Sequence, residues 1–166
     1  YVFARSVLRL SIAASLLTAM SFGLGGYLGT QIEHVNQLQG LAWIGWVFLA
    51  YEIARIRNSE FGIRNFAWIP LAILIALQLL AGHTQSVFIT LVGLGCYALW
   101  HIIESIHAAR PKGWRNYSLL ITRYLSPLIL AALTAIALAA IQLLPTLELT
   151  RNSARSGGLP MNLAVS

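Results

Sequence analysis

Five apolar runs alternate with polar stretches along this chain of 166 residues. Roughly 20 apolar residues are needed for a helix to cross the hydrocarbon core of a membrane. Runs near this length predict transmembrane helices, and the shorter runs reach it by extending into flanking polar residues. The predicted spans are 8–28, 38–56, 66–81, 86–105 and 124–144, followed by a polar tail over 145–166. We expect Pro127 near the start of the last span and Pro145 at its end.

A short polar break separates the third and fourth apolar runs. It consists of the residues Gly82, His83, Thr84 and Gln85. Because both flanking runs are predicted spans, the break predicts a tight hairpin at one face of the membrane. An imidazole and a carboxamide would lie in that hairpin.

Composition agrees with a membrane protein. Charged residues make up 10% of the chain and mean hydropathy is +0.73, whereas soluble domains contain about 25% charged residues. We therefore predict an all-α, polytopic membrane helical bundle of about five transmembrane helices, with the lipid bilayer as its surroundings. The net charge of +6 would suggest nucleic acid in a soluble protein, but here it indicates topology and no nucleic-acid partner.

Basic residues fall mainly on one side of the predicted membrane. With five spans, one side holds Arg5, Arg9, Arg55, Arg57, Arg64, Arg110, Lys112, Arg115 and Arg123. The other side holds only Arg151 and Arg155. Cytoplasmic loops accumulate Lys and Arg, so we expect a cytoplasmic start and an external end. Since the chain opens on Tyr1 and not on Met, we also expect residues 1–166 to be a single transmembrane segment of a longer protein.

This topology gathers polar side chains on the external face. Polar groups at membrane depth are costly and often line a pocket or pathway. The candidate substrate-binding residues are His34, Gln37, His83, Gln85, Gln142 and Glu148. The two histidines suit a metal or phosphate site, or a structural or helix-capping role. No Cys partner or His-x-x-x-His spacing accompanies them, so no metal site is predicted. Gln142 would otherwise bond backbone carbonyls, and Glu148 would start a short external helix or face a pocket.

The predicted cytoplasmic face contains two polar groupings. Glu52 and Arg55 are spaced for an i, i+3 ion pair near the interface. His101, Glu104 and His107 lie on one face of a helix end. We expect that helix end to be solvated, with a proton relay as the alternative. A convincing charge near the centre of a span is missing from the sequence, which disfavours a transporter.

The sequence contains no phosphate-binding Gly-rich motif, no Gly-x-Ser-x-Gly nucleophile motif and no metalloprotease His-Glu motif. Three stretches nevertheless resemble a family: 34–43 (HVNQLQGLAW), 80–85 (LAGHTQ) and 139–148 (AAIQLLPTLE). In this order and spacing they resemble the YfhO family of bacterial membrane proteins, similar in turn to the GT-C glycosyltransferases. The family hairpin more often reads Gly-His-Pro-Gln, so Thr84 is a departure. The resemblance covers most of this chain but only a middle portion of a family member.

The resemblance implies an enzyme of the bacterial plasma membrane. Such enzymes take a sugar from a polyprenyl-phosphate carrier and add it to a cell-envelope acceptor outside the cytoplasm. Their catalytic acidic residue, usually Asp, lies in an external loop that would precede Tyr1, and this chain contains no Asp. The resemblance thus implies no catalytic residue here and an inactive segment in isolation.

On the same basis, His34, His83, Gln85 and Arg151 are candidates for holding phosphate or sugar. No cofactor is identified. The alternatives are a transporter or flippase and a non-catalytic membrane scaffold.

Overall fold

In the computed structural model the described residues are 1–30, 34–61, 66–109 and 114–152, and they fold into α-helices with no strand. The helices are α1 (Val2–Ser6), α2 (Ile12–Gly23), α3 (Gly26–Thr30), α4 (Val35–Ala42), α5 (Ile44–Phe61), α6 (Trp68–Leu80), α7 (Thr84–Ala109) and α8 (Trp114–Asn152). The predicted all-α class is confirmed. Outside the described residues lie Arg64, Arg110, Lys112, Arg155 and the predicted tail beyond residue 152.

Among the described residues, three stretches are long and apolar enough to cross a membrane: Ile12–Thr30, Thr84–Ala108 and Asn116–Asn152. Large apolar side chains cover their outer surfaces. Leu17, Phe88 and Ile141, for example, are exposed by 66%, 67% and 81%. Such an exterior is unfavourable in water and suits contact with lipid tails. Length, composition and surface therefore indicate a membrane protein.

The other two predicted spans differ from simple crossing helices. Helix α6 has 13 residues, which rise about 20 Å against a hydrocarbon core of about 30 Å. It contacts α4, α5, α7 and α8, and its residues Leu71 and Ile75 are buried. The predicted span 38–56 is divided into α4 and α5, which meet at Trp43. Helix α5 also contains two acidic and two basic residues, which lower its hydropathy.

The predicted positions of the two prolines near the ends of the last helix were wrong. Helix α8 begins at Trp114, so Pro127 lies in its interior, and it continues through Pro145 to Asn152. A proline removes one backbone hydrogen bond and crowds the preceding turn, but other donors can compensate. Beside Pro145, the Thr146 hydroxyl donates to the Gln142 carbonyl at 2.8 Å. The helix thus continues past the proline at which the sequence pattern predicts its end.

Side chains of α5 compensate for the backbone hydrogen bond that Pro127 removes from α8. Pro127 has no N–H to offer the carbonyl of Arg123, four residues earlier. That carbonyl accepts a hydrogen bond from Asn58 Nδ2 at 3.0 Å. The next carbonyl, of Tyr124, accepts from the Tyr51 hydroxyl at 3.2 Å. Helix α5 therefore binds α8 at the turn that proline weakens.

Helix α8 joins the core through a row of small side chains. Ala131, Ala135 and Ala139 recur every four residues, which places them on one helix face, and none is exposed to solvent. Ala131 and Ala135 share a core with Leu71 and Ile75 of α6. Small residues let membrane helices approach closely, because lipid supplies little force for burying large ones.

The bundle has two chemically different ends. At one end, which we call the basic end, Asn58 contacts the Arg123 backbone, so that the arginines of α5 and early α8 lie near each other. At the opposite end, which we call the turn end, Gly82 lies beside Asn36 and Gln142. Helix α7 connects the two ends over about 39 Å, at 1.5 Å for each of its 26 residues.

We predict that Asn58 and Pro127 are energetically coupled. Asn58→Ala should destabilise the natural protein by about 1 kcal/mol, because the Arg123 carbonyl loses its donor. In a Pro127→Ala background the new backbone N–H supplies that bond, so the same change should cost much less. Unfolding in mixed detergent micelles measures the double-mutant cycle. Equal costs in both backgrounds would contradict the assignment.

We also predict that Ala135 tolerates no enlargement. Ala135→Leu should destabilise the bundle by about 1–3 kcal/mol, because a larger side chain cannot enter a fully buried helix contact. Ala137 is exposed on the same helix, so Ala137→Leu is the matched control and should be nearly neutral. The same micelle unfolding assay compares the two variants, and equal losses would be inconsistent with the packing described.

Candidate functional site

His83 is fixed by the start of α7. The residue before it, Gly82, has φ of 78°, a left-handed conformation that glycine adopts easily. The Ser86 backbone N–H donates to His83 Nδ1 at 3.2 Å, and the Ser86 hydroxyl lies 2.8 Å from the same nitrogen. This is a helix N-cap made by an imidazole. The expected helix-capping role of His83 is confirmed.

The cap also determines the tautomer of His83. A backbone N–H can only donate, so Nδ1 of the neutral ring must accept, and Nε2 carries the proton. Nε2 points away from Ser86 because it is the ring nitrogen not used in the cap. His83 therefore presents an N–H donor, which suits a phosphate oxygen or a sugar hydroxyl.

A cavity of about 310 Å³ lies beside this histidine. It is lined by His34, Val35, Asn36, Gln37 and His83, so the start of α4 meets the turn before α7. Gln142 of α8 lies close to the turn, with its Nε2 3.7 Å from the position a Cβ would take on Gly82. Three of the six predicted binding residues, His34, Gln37 and His83, thus line one cavity, and a fourth, Gln142, lies beside the turn without lining the cavity. His34 precedes α4 without a side-chain cap bond.

The other two predicted residues lie apart from this cavity. Gln85 is exposed in the first turn of α7 and does not line it. Glu148 is exposed on α8, about 9 Å along the helix axis beyond Gln142. It borders a separate open groove with Arg151 and Pro145. Glu148 lies within a continuous helix and not at the start of a short external one.

A buried hydrogen-bond network holds α4 and α7 behind the cavity. Gln78 of α6 is fully buried, and its Nε2 donates to the Gly40 carbonyl and to Thr90 Oγ1, both at 2.8 Å. Thr90 donates in turn to the Ser86 carbonyl at 2.8 Å. A Cβ on Gly40 would lie 2.9 Å from that of Ser86, so only glycine allows this approach. Sequence analysis missed Gln78 because it sits alone within an apolar run.

A second polar group, the basic-end cluster, consists of Glu52, Arg55, Tyr97, His101 and Tyr124. The predicted ion pair is confirmed: Arg55 donates to Glu52 through Nε at 2.9 Å and through Nη2. Glu52 is only 7% exposed, and the Tyr97 hydroxyl lies 3.5 Å from its Oε2. The pair is thus buried between helices, which the sequence alone did not predict.

His101 also differs from the expected solvated helix end. Its ring meets Tyr97 edge-on at 4.6 Å and stacks parallel to Tyr124 at 6.2 Å. Glu104 and His107 on the same predicted face are exposed. The signal available in the sequence was a different spacing: Tyr97, His101 and Ser105 recur every four residues and so share an inward face. Ser105 Oγ lies 2.6 Å from the Tyr124 hydroxyl.

Within the described ranges, no group of three or more His, Cys, Asp or Glu side chains is arranged to hold a metal ion. Among the described residues, the cavity at the turn end is instead bordered by the imidazoles of His34 and His83 and by the side-chain amides of Asn36 and Gln37. These described side chains can bind phosphate or hydroxyl groups, and none of them is a carboxylate that could remove a proton. Comparisons with protein-family models, curated proteins and solved structures found no match to this chain.

We predict that Gln78 is required for the packing of α4 against α7. Gln78→Met retains side-chain volume but leaves the Gly40 carbonyl and Thr90 without their donor, at an expected cost of about 1–3 kcal/mol. Gln39 is exposed on α4, so Gln39→Met is a matched control with little expected effect. Micelle unfolding compares them, and a neutral Gln78→Met would show that the network contributes no stability.

Proposed function

We propose that this chain is part of a GT-C-like membrane glycosyltransferase, which moves a sugar from a polyprenyl-phosphate carrier to an acceptor outside the cytoplasm. One observation carries the proposal: His83, held in one tautomer by its cap, borders a cavity with His34 and Gln37. The same residues belong to the stretches that resemble the YfhO family.

The proposed topology has five crossings, with the basic end in the cytoplasm and the turn end outside. The short helix α6 would then cross together with its flanking residues, inside the bundle. Arg55, Arg57 and Arg123 on the basic end support this orientation, because cytoplasmic segments favour Lys and Arg. We place the protein in the plasma membrane of a bacterium, where polyprenyl-phosphate sugars are used on the outer side.

The proposed role of the turn end is binding and not proton transfer. His83 would donate its Nε2–H to a phosphate oxygen, and the amides of Gln37 and Gln142 would bond sugar hydroxyls. Transfer of the sugar requires a carboxylate that accepts the proton of the acceptor hydroxyl. Glu148 lies outside the cavity. We therefore assign that carboxylate to a part of the enzyme other than the described residues.

A transporter or flippase is the second candidate. The observation in its favour is the buried Glu52–Arg55 pair beside His101, since charges buried among membrane helices often mark translocation pathways. That cluster lies at the basic end, whereas the cavity with the matching donors lies at the turn end. The two functions therefore predict different sensitive residues.

The test separates the cap of His83 from its binding group. His83→Asn places an oxygen where Nδ1 lies and can still cap α7, but it removes the Nε2–H. His83→Ala loses both groups. We expect both variants, in nanodiscs, to bind undecaprenyl phosphate about tenfold more weakly, because each loses one charge-assisted hydrogen bond to the phosphate. Only His83→Ala should lose stability, by about 1 kcal/mol.

His107 provides the matched control, because it is an exposed histidine on the same helix at the basic end. His107→Asn should leave binding unchanged. Native mass spectrometry of the nanodiscs measures binding, and thermal unfolding measures stability. Normal binding by His83→Asn together with normal stability would reduce His83 to a capping residue and remove the support for the proposed site. Loss of lipid binding in a Glu52 variant alone would favour the transporter.

A further inference from the structure

Asn36 belongs both to the cavity at the turn end and to the surroundings of the turn. It lines the cavity together with His34 and His83. A Cβ built on Gly82 would lie 3.8 Å from Asn36 Nδ2 and 3.7 Å from Gln142 Nε2. Because Gly82 has no side chain, only backbone separates these two amides. Asn36 therefore connects the cavity with the side of the turn that faces α8, although sequence analysis did not select it as a binding residue.

The amide of Asn36 is available to a ligand. Asn36 is exposed in the first turn of α4. Within the described ranges its side chain makes no hydrogen bond. A primary amide carries two N–H donors on one nitrogen, and the neutral ring of His83 carries one on Nε2. Two residues from different elements, α4 and the turn before α7, thus present N–H donors to the same cavity.

The size and charge of the cavity suit a phosphate group. Its volume of about 310 Å³ corresponds to a width of about 8 Å, close to the span of one phosphate with a hydrogen-bond donor on either side. None of the described side chains that line it is acidic, so a bound anion meets no negative charge from them. Hydrogen bonds to an ionised acceptor are roughly twice as strong as those between neutral groups.

We propose that Asn36 is a second phosphate-binding residue of this cavity, donating its Nδ2–H to a phosphate oxygen next to the oxygen bound by His83. Donors from two elements would hold the phosphate in one orientation. Gln142, on the other side of Gly82, stays with the sugar hydroxyls. This inference rests on the proposed function, because it concerns the same cavity and the same polyprenyl phosphate. It adds a residue that distinguishes a phosphorylated lipid from an uncharged one.

The test compares undecaprenyl phosphate with undecaprenol, which has the same tail and no phosphate. Native mass spectrometry of the protein in nanodiscs measures the binding of each lipid. Asn36→Ala should weaken the binding of undecaprenyl phosphate about tenfold, the loss of one charge-assisted hydrogen bond. Asn36→Asp should weaken it about a hundredfold, because the carboxylate also repels the phosphate. Neither variant should change the binding of undecaprenol.

Asn152→Asp is the matched control, because it makes the same change at an exposed position of α8 that does not line the cavity. It should bind undecaprenyl phosphate like the unmodified protein. Thermal unfolding of both Asn36 variants should be nearly unchanged, since the side chain is exposed and makes no hydrogen bond among the described residues.

The outcomes separate this proposal from the proposed function. If Asn36→Asp binds undecaprenyl phosphate normally while His83→Asn binds it weakly, the assignment of Asn36 is overturned and the proposed function stands. Equal losses for undecaprenyl phosphate and undecaprenol in Asn36→Ala would also overturn the assignment, because the residue would then act on packing. An unmodified protein that binds the two lipids equally would overturn the proposed function and this inference with it.

Discussion

Polar groups inside this bundle must find their partners within the protein, because lipid tails offer none. That constraint explains how α5, α6, α7 and α8 are joined. The Arg123 carbonyl, which Pro127 leaves without a backbone donor, and the Tyr124 carbonyl after it accept bonds from α5, and the Gln78 amide bridges α4 and α7. The Glu52 carboxylate, buried at the other end, is compensated by Arg55. Apolar contacts fill the space between these links, but they specify little about which helix lies beside which.

The two ends of the bundle consequently differ in chemistry. The turn end offers neutral donors and acceptors beside an open cavity, with His83 as a donor of defined direction. The basic end buries charge among aromatic rings. Between them lies an apolar layer that includes Val47, Leu94 and Ile75, all essentially unexposed. This apolar layer therefore separates the polar groups of the turn end from those of the basic end.

Local features of this fold were predictable from sequence, and features that depend on distant residues were not. The Glu52–Arg55 pair was predicted from its spacing, and a capping role was one of the alternatives given for His83; both bonds join residues three positions apart. The passage of α8 through Pro127 depends on Asn58, which is 65 residues away from Arg123. Gln78 and His101 were missed or misplaced for the same reason: their burial depends on which helix packs against them. Of the predicted binding residues, only those near the turn between α6 and α7 line the cavity: His34, Gln37 and His83.

The two prolines of α8 are 18 residues apart in one helix, which is about five complete turns. They therefore project from the same side of the helix. Bends at prolines have a direction set by the side on which the ring lies, so two bends on one side add together and do not cancel. Helix α8 is consequently expected to follow an arc, with Ala131, Ala135 and Ala139 between the two bends. The shorter α6, which packs against α8, would then have to match that arc to stay in contact along its length.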